Sequence, residues 1–168
     1  MSHPPAMTPA EFKSLREGLG LSAQAMADIL GIRNERTVRH WESGENLPEG
    51  VVKVAQDVDD LVWKMARHGL EVFKERPAEI LVVLRYETED SFRAYHPGDT
   101  RPQMHRLHAA AINRLRWLLQ VEGQDLRILS MDPGHYEPWR NEQGLEDGEE
   151  ARTAWAAHRL MTMGEVEA

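Results

Sequence analysis

Residues 22–44, SAQAMADILGIRNERTVRHWESG, contain two short helical patterns separated by a tight turn that includes Gly31. Ser22 can cap the first pattern and Gly31 can end it. Asn34 can cap the second pattern, which ends at Gly44. Two short helices joined by a tight turn have the spacing of a helix-turn-helix, so this stretch predicts that motif over residues 22–30 and 34–43.

The second predicted helix has two chemically different sides. At 100° per residue, Val38 and Trp41 face the core, and Arg36 lies almost opposite them. Arginine can donate two hydrogen bonds to guanine, and each good pair discriminates by about 1–3 kcal/mol. A charged stripe taken alone is usually only a solvated helix face, but within the helix-turn-helix pattern we expect Arg36 and Arg39 to read bases. The full set of candidate DNA contacts is Arg33, Asn34, Glu35, Arg36, Thr37, Arg39, His40, Ser22 and Gln24.

Helical patterns also flank this motif. Thr8, Pro9 and Glu11 predict a helix start with a capping box, which follows a disordered leader over residues 1–7. A longer helix is expected from Pro48 to about Lys74, with a weak point at Gly69. The first domain is thus expected to be all-α and to cover residues 8–76.

The rest of the chain predicts a small α/β unit over residues 77–168, with Arg76-Pro77 as the boundary. Residues 80–86 and 126–131 are expected strands, and the helix between them, residues 104–121, predicts a parallel pair. The remaining expectations are a short element over 90–95, a turn at 132–134, an acidic loop over 141–150 and a last helix over 149–163. The predicted fold class is α+β.

Charge and composition indicate how the protein would bind DNA and exclude some kinds of site. The net charge is −8, with −2 on residues 1–76 and −6 on residues 77–168. An acidic body with one small basic face predicts weak non-specific DNA binding and reliance on specific contacts. The chain has no cysteine and no long apolar run, so we expect a cytoplasmic protein without disulfides or cysteine-based zinc sites, and with no membrane partner.

Several spaced motifs resemble the Cro/CI-type (Xre-family) helix-turn-helix regulators. They are Leu15-Arg16-Glu17, Gly20-Leu21-Ser22, Met26-Ala27, Leu30-Gly31-Ile32 and Trp41-Glu42-Ser43-Gly44 with Pro48. The resemblance implies a lambda-repressor-like domain in which Arg16 and Glu42 form a structural ion pair, Trp41 is core and Gly44 is a left-handed cap. The chain departs from the family at Ala23, where Gln is usual, and has one extra residue between Gly31 and Trp41.

Scattered residues over 77–132 resemble one branch of that family, the YdiL-like and anti-CRISPR-associated repressors of phage and mobile elements. That resemblance implies an autoregulatory repressor that binds an inverted-repeat operator as a homodimer through its second domain. Some relatives also bind the RNA of their own operon. A dimer is expected on physical grounds too, because one helix reads only about 4–5 base pairs. Trp117, beside the apolar stripe of its helix, is the candidate interface residue.

Two other functions remain open. The chain could be the antitoxin of a toxin–antitoxin pair, with residues 77–168 binding the toxin, or the motif could be fused to a ligand-sensing or enzymatic domain. Ser91 and Ser130 lie in no triad-like context, so we expect no catalytic residue and no enzyme activity. His96, His105, His108 and His135 have no neighbouring carboxylate at a known ligand spacing, so we expect no metal and no cofactor.

Overall fold

The computed structural model describes residues 6–44, 46–75 and 80–166, and side chains as far as residue 163. In this part of the chain eight helices and two strands form a mostly helical α+β fold. The elements are α1 (Pro9–Gly18), α2 (Ala23–Leu30), α3 (Glu35–Ser43), α4 (Glu49–Glu75), β1 (Leu81–Arg85), α5 (Glu89–Tyr95), α6 (Met104–Val121), β2 (Leu126–Ser130), α7 (Pro133–Glu142) and α8 (Glu149–Val166).

Side-chain caps set the starts of the first three helices. The predicted capping box is confirmed, since the Thr8 amide donates to Glu11 Oε2 at 2.6 Å and the Glu11 amide donates to Thr8 Oγ1 at 3.2 Å. Ser22 Oγ accepts from the Ala25 amide at 3.0 Å, and Asn34 Oδ1 accepts from the Arg36 amide at 2.8 Å. Local hydrogen bonding therefore fixes where α1, α2 and α3 begin, as the sequence predicts.

Four expectations about chain ends, turns and loops are wrong. Gly31 has φ +67° and ends α2 in the left-handed conformation, but Gly44 has φ −86° and ψ −175°, so the chain leaves α3 in an extended path. Met7 is expected in the disordered leader, but its side chain is buried in the core. The predicted turn at 132–134 is the start of α7, where Asp132 Oδ1 accepts from the Gly134 amide at 3.0 Å. The acidic loop is correspondingly shorter, because residues 141 and 142 belong to α7.

Helix α4 continues through Gly69, the expected weak point. A Cβ atom at this position would lie 2.8 Å from Leu115 Cδ2 on α6. The glycine therefore lets α6 approach α4 closely, and this packing offsets the low helix propensity of glycine.

The two strands form a parallel pair, as predicted, with Leu81 opposite Leu126 and Arg85 opposite Ser130. Helices α5 and α6 lie between the strands in sequence, and α6 packs against both strands, while α8 packs against β1. The strands are therefore covered by helices, which suits their apolar composition.

One buried cluster extends from the first helices to the last. It includes Phe12 and Val38 at one end and Tyr136 and Trp155 at the other. Helix α4 packs against both α1 and α6, so it joins the two ends of this core. The predicted boundary at Arg76-Pro77 and residues 1–5 lie outside the described residues. No helix in the described part of the chain is both long enough and apolar enough to cross a membrane.

Candidate nucleic-acid interface

Helix α3 is anchored through one side. Val38 is completely buried, and Trp41 is partly buried and packs against the same core, as expected from helical periodicity. Helix α3 contacts α2 and α1, whose buried residues Met26 and Phe12 belong to this core. The opposite side of α3 is therefore exposed to solvent.

The expected ion pair between Arg16 and Glu42 is present and is a second anchor. Arg16 Nε donates to Glu42 Oε1 at 2.5 Å and Nη2 donates to Oε2 at 3.3 Å. Arg16 Nη1 also donates to the Leu21 carbonyl at 2.6 Å, which ties α1 to the segment before α2. The two side chains are only 11% and 9% exposed, so a paired geometry is required to offset their desolvation.

Basic side chains occupy the outward side of α3 and the turn before it. The exposed cations are Arg33, Arg36 and Arg39, with His40 beside them. The Arg36 guanidinium makes no hydrogen bond or ion pair with another described residue. Arg39 reaches Glu35 at 3.5 Å, but both side chains are exposed, and such a pair contributes little to stability. Both arginines are therefore available to an external acceptor.

The remaining candidates differ in what they can still donate. Ser22 and Asn34 use a side-chain oxygen as a helix cap, which leaves the Ser22 hydroxyl proton and the Asn34 amide group available. Thr37 and Glu35 are partly exposed on α3. Gln24 is exposed on α2, with its Nε2 2.9 Å from Asp28 Oδ1. Ser22, Asn34, Thr37 and Gln24 therefore carry hydroxyl or amide donors of the kind that contact phosphates, whereas the Glu35 carboxylate can only accept a hydrogen bond.

The departure at Ala23 has a structural consequence. Ala23 is buried, so the position at which the resemblance places glutamine offers no polar atom to a ligand. Only Ser22 and Gln24 at the start of α2 are exposed.

A contact between α2 and the segment before α6 could not be predicted. Gln103 Nε2 donates to Asp28 Oδ2 at 2.8 Å, and Asp28 also accepts from Gln24. Gln103 has φ +61°, which is uncommon for a residue other than glycine. The two partners are 75 residues apart, and no local pattern marks either of them.

The four histidines do not form one cluster. His96 and His108 lie together, with ring centroids 6.1 Å apart, whereas His105 lies near Arg85 and Arg106 and His135 is exposed at the start of α7. No three metal-ligating side chains come together among the residues that the structure describes.

We expect His108 to make stability depend on acid pH. Burial, helped by the nearby His96, lowers the pKa of His108 from 6.5 to about 4. As the pH falls from about 6.5 to about 4, His108 becomes protonated in the unfolded chain but stays neutral in the folded chain. The free energy of unfolding therefore falls by roughly 3 kcal/mol over this range. Urea unfolding of the wild type and His108→Phe at pH 7 and pH 4.5 checks this. The variant should lose less stability than the wild type, and equal losses would contradict the assignment.

The family model described as a domain of unknown function (DUF4447) matches residues 1–160, which is nearly the whole chain and includes both α3 and the paired strands. No curated protein matches the chain.

Proposed function

The chain belongs to the DUF4447 family of domains of unknown function, and we propose that it is a sequence-specific DNA-binding transcriptional regulator. In this proposal α2 and α3 act as a helix-turn-helix, and α3 is the helix that enters the major groove. The main support for this proposal comes from the outward side of α3. The Arg36 guanidinium has no hydrogen-bond or ion-pair partner among the described residues, and Arg39 has only a weak ion pair with Glu35. Arg36 and Arg39 would read base edges from this side.

The anchoring of α3 supports this role. Base readout needs donors held in a fixed position, because a misplaced guanidinium loses the bidentate geometry. Val38 fixes one side of α3 in the core, and the Arg16–Glu42 pair ties its last turn to α1. These contacts leave the side of α3 that carries Arg36 and Arg39 exposed. A recognition helix requires this arrangement, with one side packed on the core and the other side available to DNA.

The charge distribution indicates how such a protein would bind. The whole chain has a net charge of −8, so the long-range field repels DNA. Attraction then depends on the few cations around α3 and on contacts that only the cognate sequence offers. We infer a regulator with a high ratio of specific to non-specific affinity.

We further propose that the protein acts as a homodimer, as an autoregulatory repressor in the cytoplasm without enzyme activity. One α3 spans too few base pairs for specificity, and two copies about one helical turn apart double the site. On α6, Trp117 is 58% exposed and Val121 is 70% exposed, and their spacing of four places them on one side. A second copy of this chain would cover these apolar side chains and remove them from water.

Binding to the DNA upstream of the protein's own gene tests the proposal. We expect a dimer, by mass measurement, that binds this DNA with a dissociation constant on the order of 10 nM at physiological salt and binds a scrambled duplex at least about 1,000-fold more weakly. A salt series should give a shallow slope, because few phosphates are neutralised. Equal affinity for both duplexes, or a monomer in the complex, would contradict the proposal.

A further inference from the structure

A cavity of about 470 Å³ lies between α4, β1, α6 and the start of α8. Its volume is within the range of pockets that hold small organic molecules. Several apolar side chains in its wall are only half-buried, so an occupant of the cavity would remove apolar surface from water. These side chains are Met65, Val72, Phe73, Val83 and Leu84.

Helix α8 brings polar side chains to one side of the cavity. Glu149, Arg152 and Thr153 all line it, and their spacing of three and four residues places them on one side of the helix. Ala156 continues this side and is completely buried, so the side faces the interior of the fold. Glu149 is exposed as well as lining the cavity, which places it at the rim.

The charges in the cavity wall leave one carboxylate unpaired. Asp99 accepts from Arg101 at 2.6 and 2.9 Å. Arg152 Nε lies 3.7 Å from Asp147 Oδ1. Glu149, by contrast, makes no hydrogen bond or ion pair with another residue that the structure describes. Once these two pairs are set aside, one negative charge remains in this region, at Glu149.

The buried histidines of the wall do not offset this charge. Burial lowers the pKa of His96 from its usual value and that of His108 to about 4, so both rings are neutral at pH 7. His96 Nε2 and His108 Nδ1 are also buried, so neither atom is open to a molecule in the cavity. Recognition of a polar group here therefore depends on Glu149.

We propose that this cavity binds a small organic cation, an apolar molecule with one ammonium group, whose apolar body lies against the half-buried wall and whose ammonium group lies at Glu149. The apolar body supplies most of the affinity, because an exposed carboxylate contributes little to an ion pair. The charge of Glu149 instead sets the preference among ligands, since it attracts a cation and repels an anion. This proposal does not depend on DNA binding.

Three probes with one ring system and different charges test the proposal on the full chain. They are 1-naphthylmethylamine, 1-naphthylmethanol and 1-naphthoate, used at pH 8, above the usual range of histidine titration. Equilibrium dialysis at low salt should show saturable 1:1 binding of the amine, about 2- to 5-fold tighter than that of the alcohol and tighter still than that of the carboxylate. The preference for the amine should shrink in 0.5 M NaCl, because salt screens an exposed charge.

Two glutamate variants test the source of the preference. Glu149→Gln keeps the size of the side chain and removes its charge, so the amine should then bind no more than about 1.5-fold tighter than the alcohol. Glu146→Gln removes the same charge from an exposed position that does not line the cavity. This control should keep the preference of the wild type.

Two valine variants test the location. Val72→Phe places a larger side chain in the cavity wall and should weaken binding of the amine and the alcohol at least about 10-fold. Val121→Phe makes the same change at an exposed position on α6 that does not line the cavity, and should leave both affinities unchanged. Absence of saturable binding, a preference for the amine that survives in Glu149→Gln, or equal effects of the two valine variants would overturn the proposal.

Discussion

Replacement of Arg16 by Met should lower the free energy of unfolding by about 3–5 kcal/mol. The change leaves the Glu42 carboxylate only 9% exposed and without its guanidinium partner, and it removes the donor to the Leu21 carbonyl. An uncompensated buried charge is among the most destabilising changes in a folded protein. Urea unfolding at pH 7 measures the effect.

An exposed ion pair provides the matched control. Lys53 Nζ lies 2.8 Å from Asp57 Oδ2 on α4, but the two side chains are 73% and 59% exposed. Lys53→Met should therefore change the free energy of unfolding by less than about 0.5 kcal/mol. The double variant Arg16→Met with Glu42→Met should be more stable than Arg16→Met alone, because it also removes the buried, unpaired Glu42 carboxylate. Similar losses in Arg16→Met and Lys53→Met would show that burial of the pair is unimportant.

The sequence predicts the secondary structure well where local chemistry decides it. Caps at Thr8, Ser22 and Asn34 mark helix starts through hydrogen bonds that span two or three residues, so no tertiary information is needed. Helix α6 covers the predicted residues, because its apolar periodicity is long and regular. The parallel pair follows from two apolar runs whose long connection contains a crossover helix, α6.

Errors arise where a local signal has two interpretations. Asp132-Pro133-Gly134 is typical of a turn, yet an aspartate cap followed by proline is also a helix start. Pro138 inside α7 strengthens the wrong interpretation, since proline usually breaks a helix. Gly44 is a plausible left-handed cap, but the path of the chain towards α4 gives it an extended conformation instead.

The two candidate sites differ in how far sequence can predict them. The basic side of α3 depends only on the 3.6-residue period and on which side Val38 buries. The cavity depends on α4, β1, α6 and α8 meeting, and its histidines belong to different elements. From residue type and spacing, His96 and His108 can only be weighed as metal ligands, and the sequence predicts no metal there. Their neutral, apolar surroundings and contact with Tyr86 could be seen only in the folded chain.

Arg36→Ala should abolish specific DNA binding while the fold stays intact. Arg36 is exposed and has no described partner, so we expect its loss to change the free energy of unfolding by less than about 0.5 kcal/mol. A lost arginine–guanine pair costs about 1–3 kcal/mol, or about 5- to 150-fold in affinity, and a dimer loses two such pairs. Titration of the cognate and scrambled duplexes, with thermal unfolding alongside, measures both effects.

Two further variants separate base reading from charge. Arg127→Ala removes the same charge from an exposed position on β2 and should leave cognate binding unchanged. Arg36→Lys keeps the charge but lacks the planar fork, so it should resemble Arg36→Ala if the residue reads a base. If Arg36 contacts a phosphate instead, Arg36→Lys should bind nearly as well as the wild type. Arg36→Ala would then weaken binding to both duplexes alike, because a phosphate contact is independent of sequence. Unchanged cognate affinity in Arg36→Ala would place the reading residues elsewhere on α3 and overturn the register proposed for this helix.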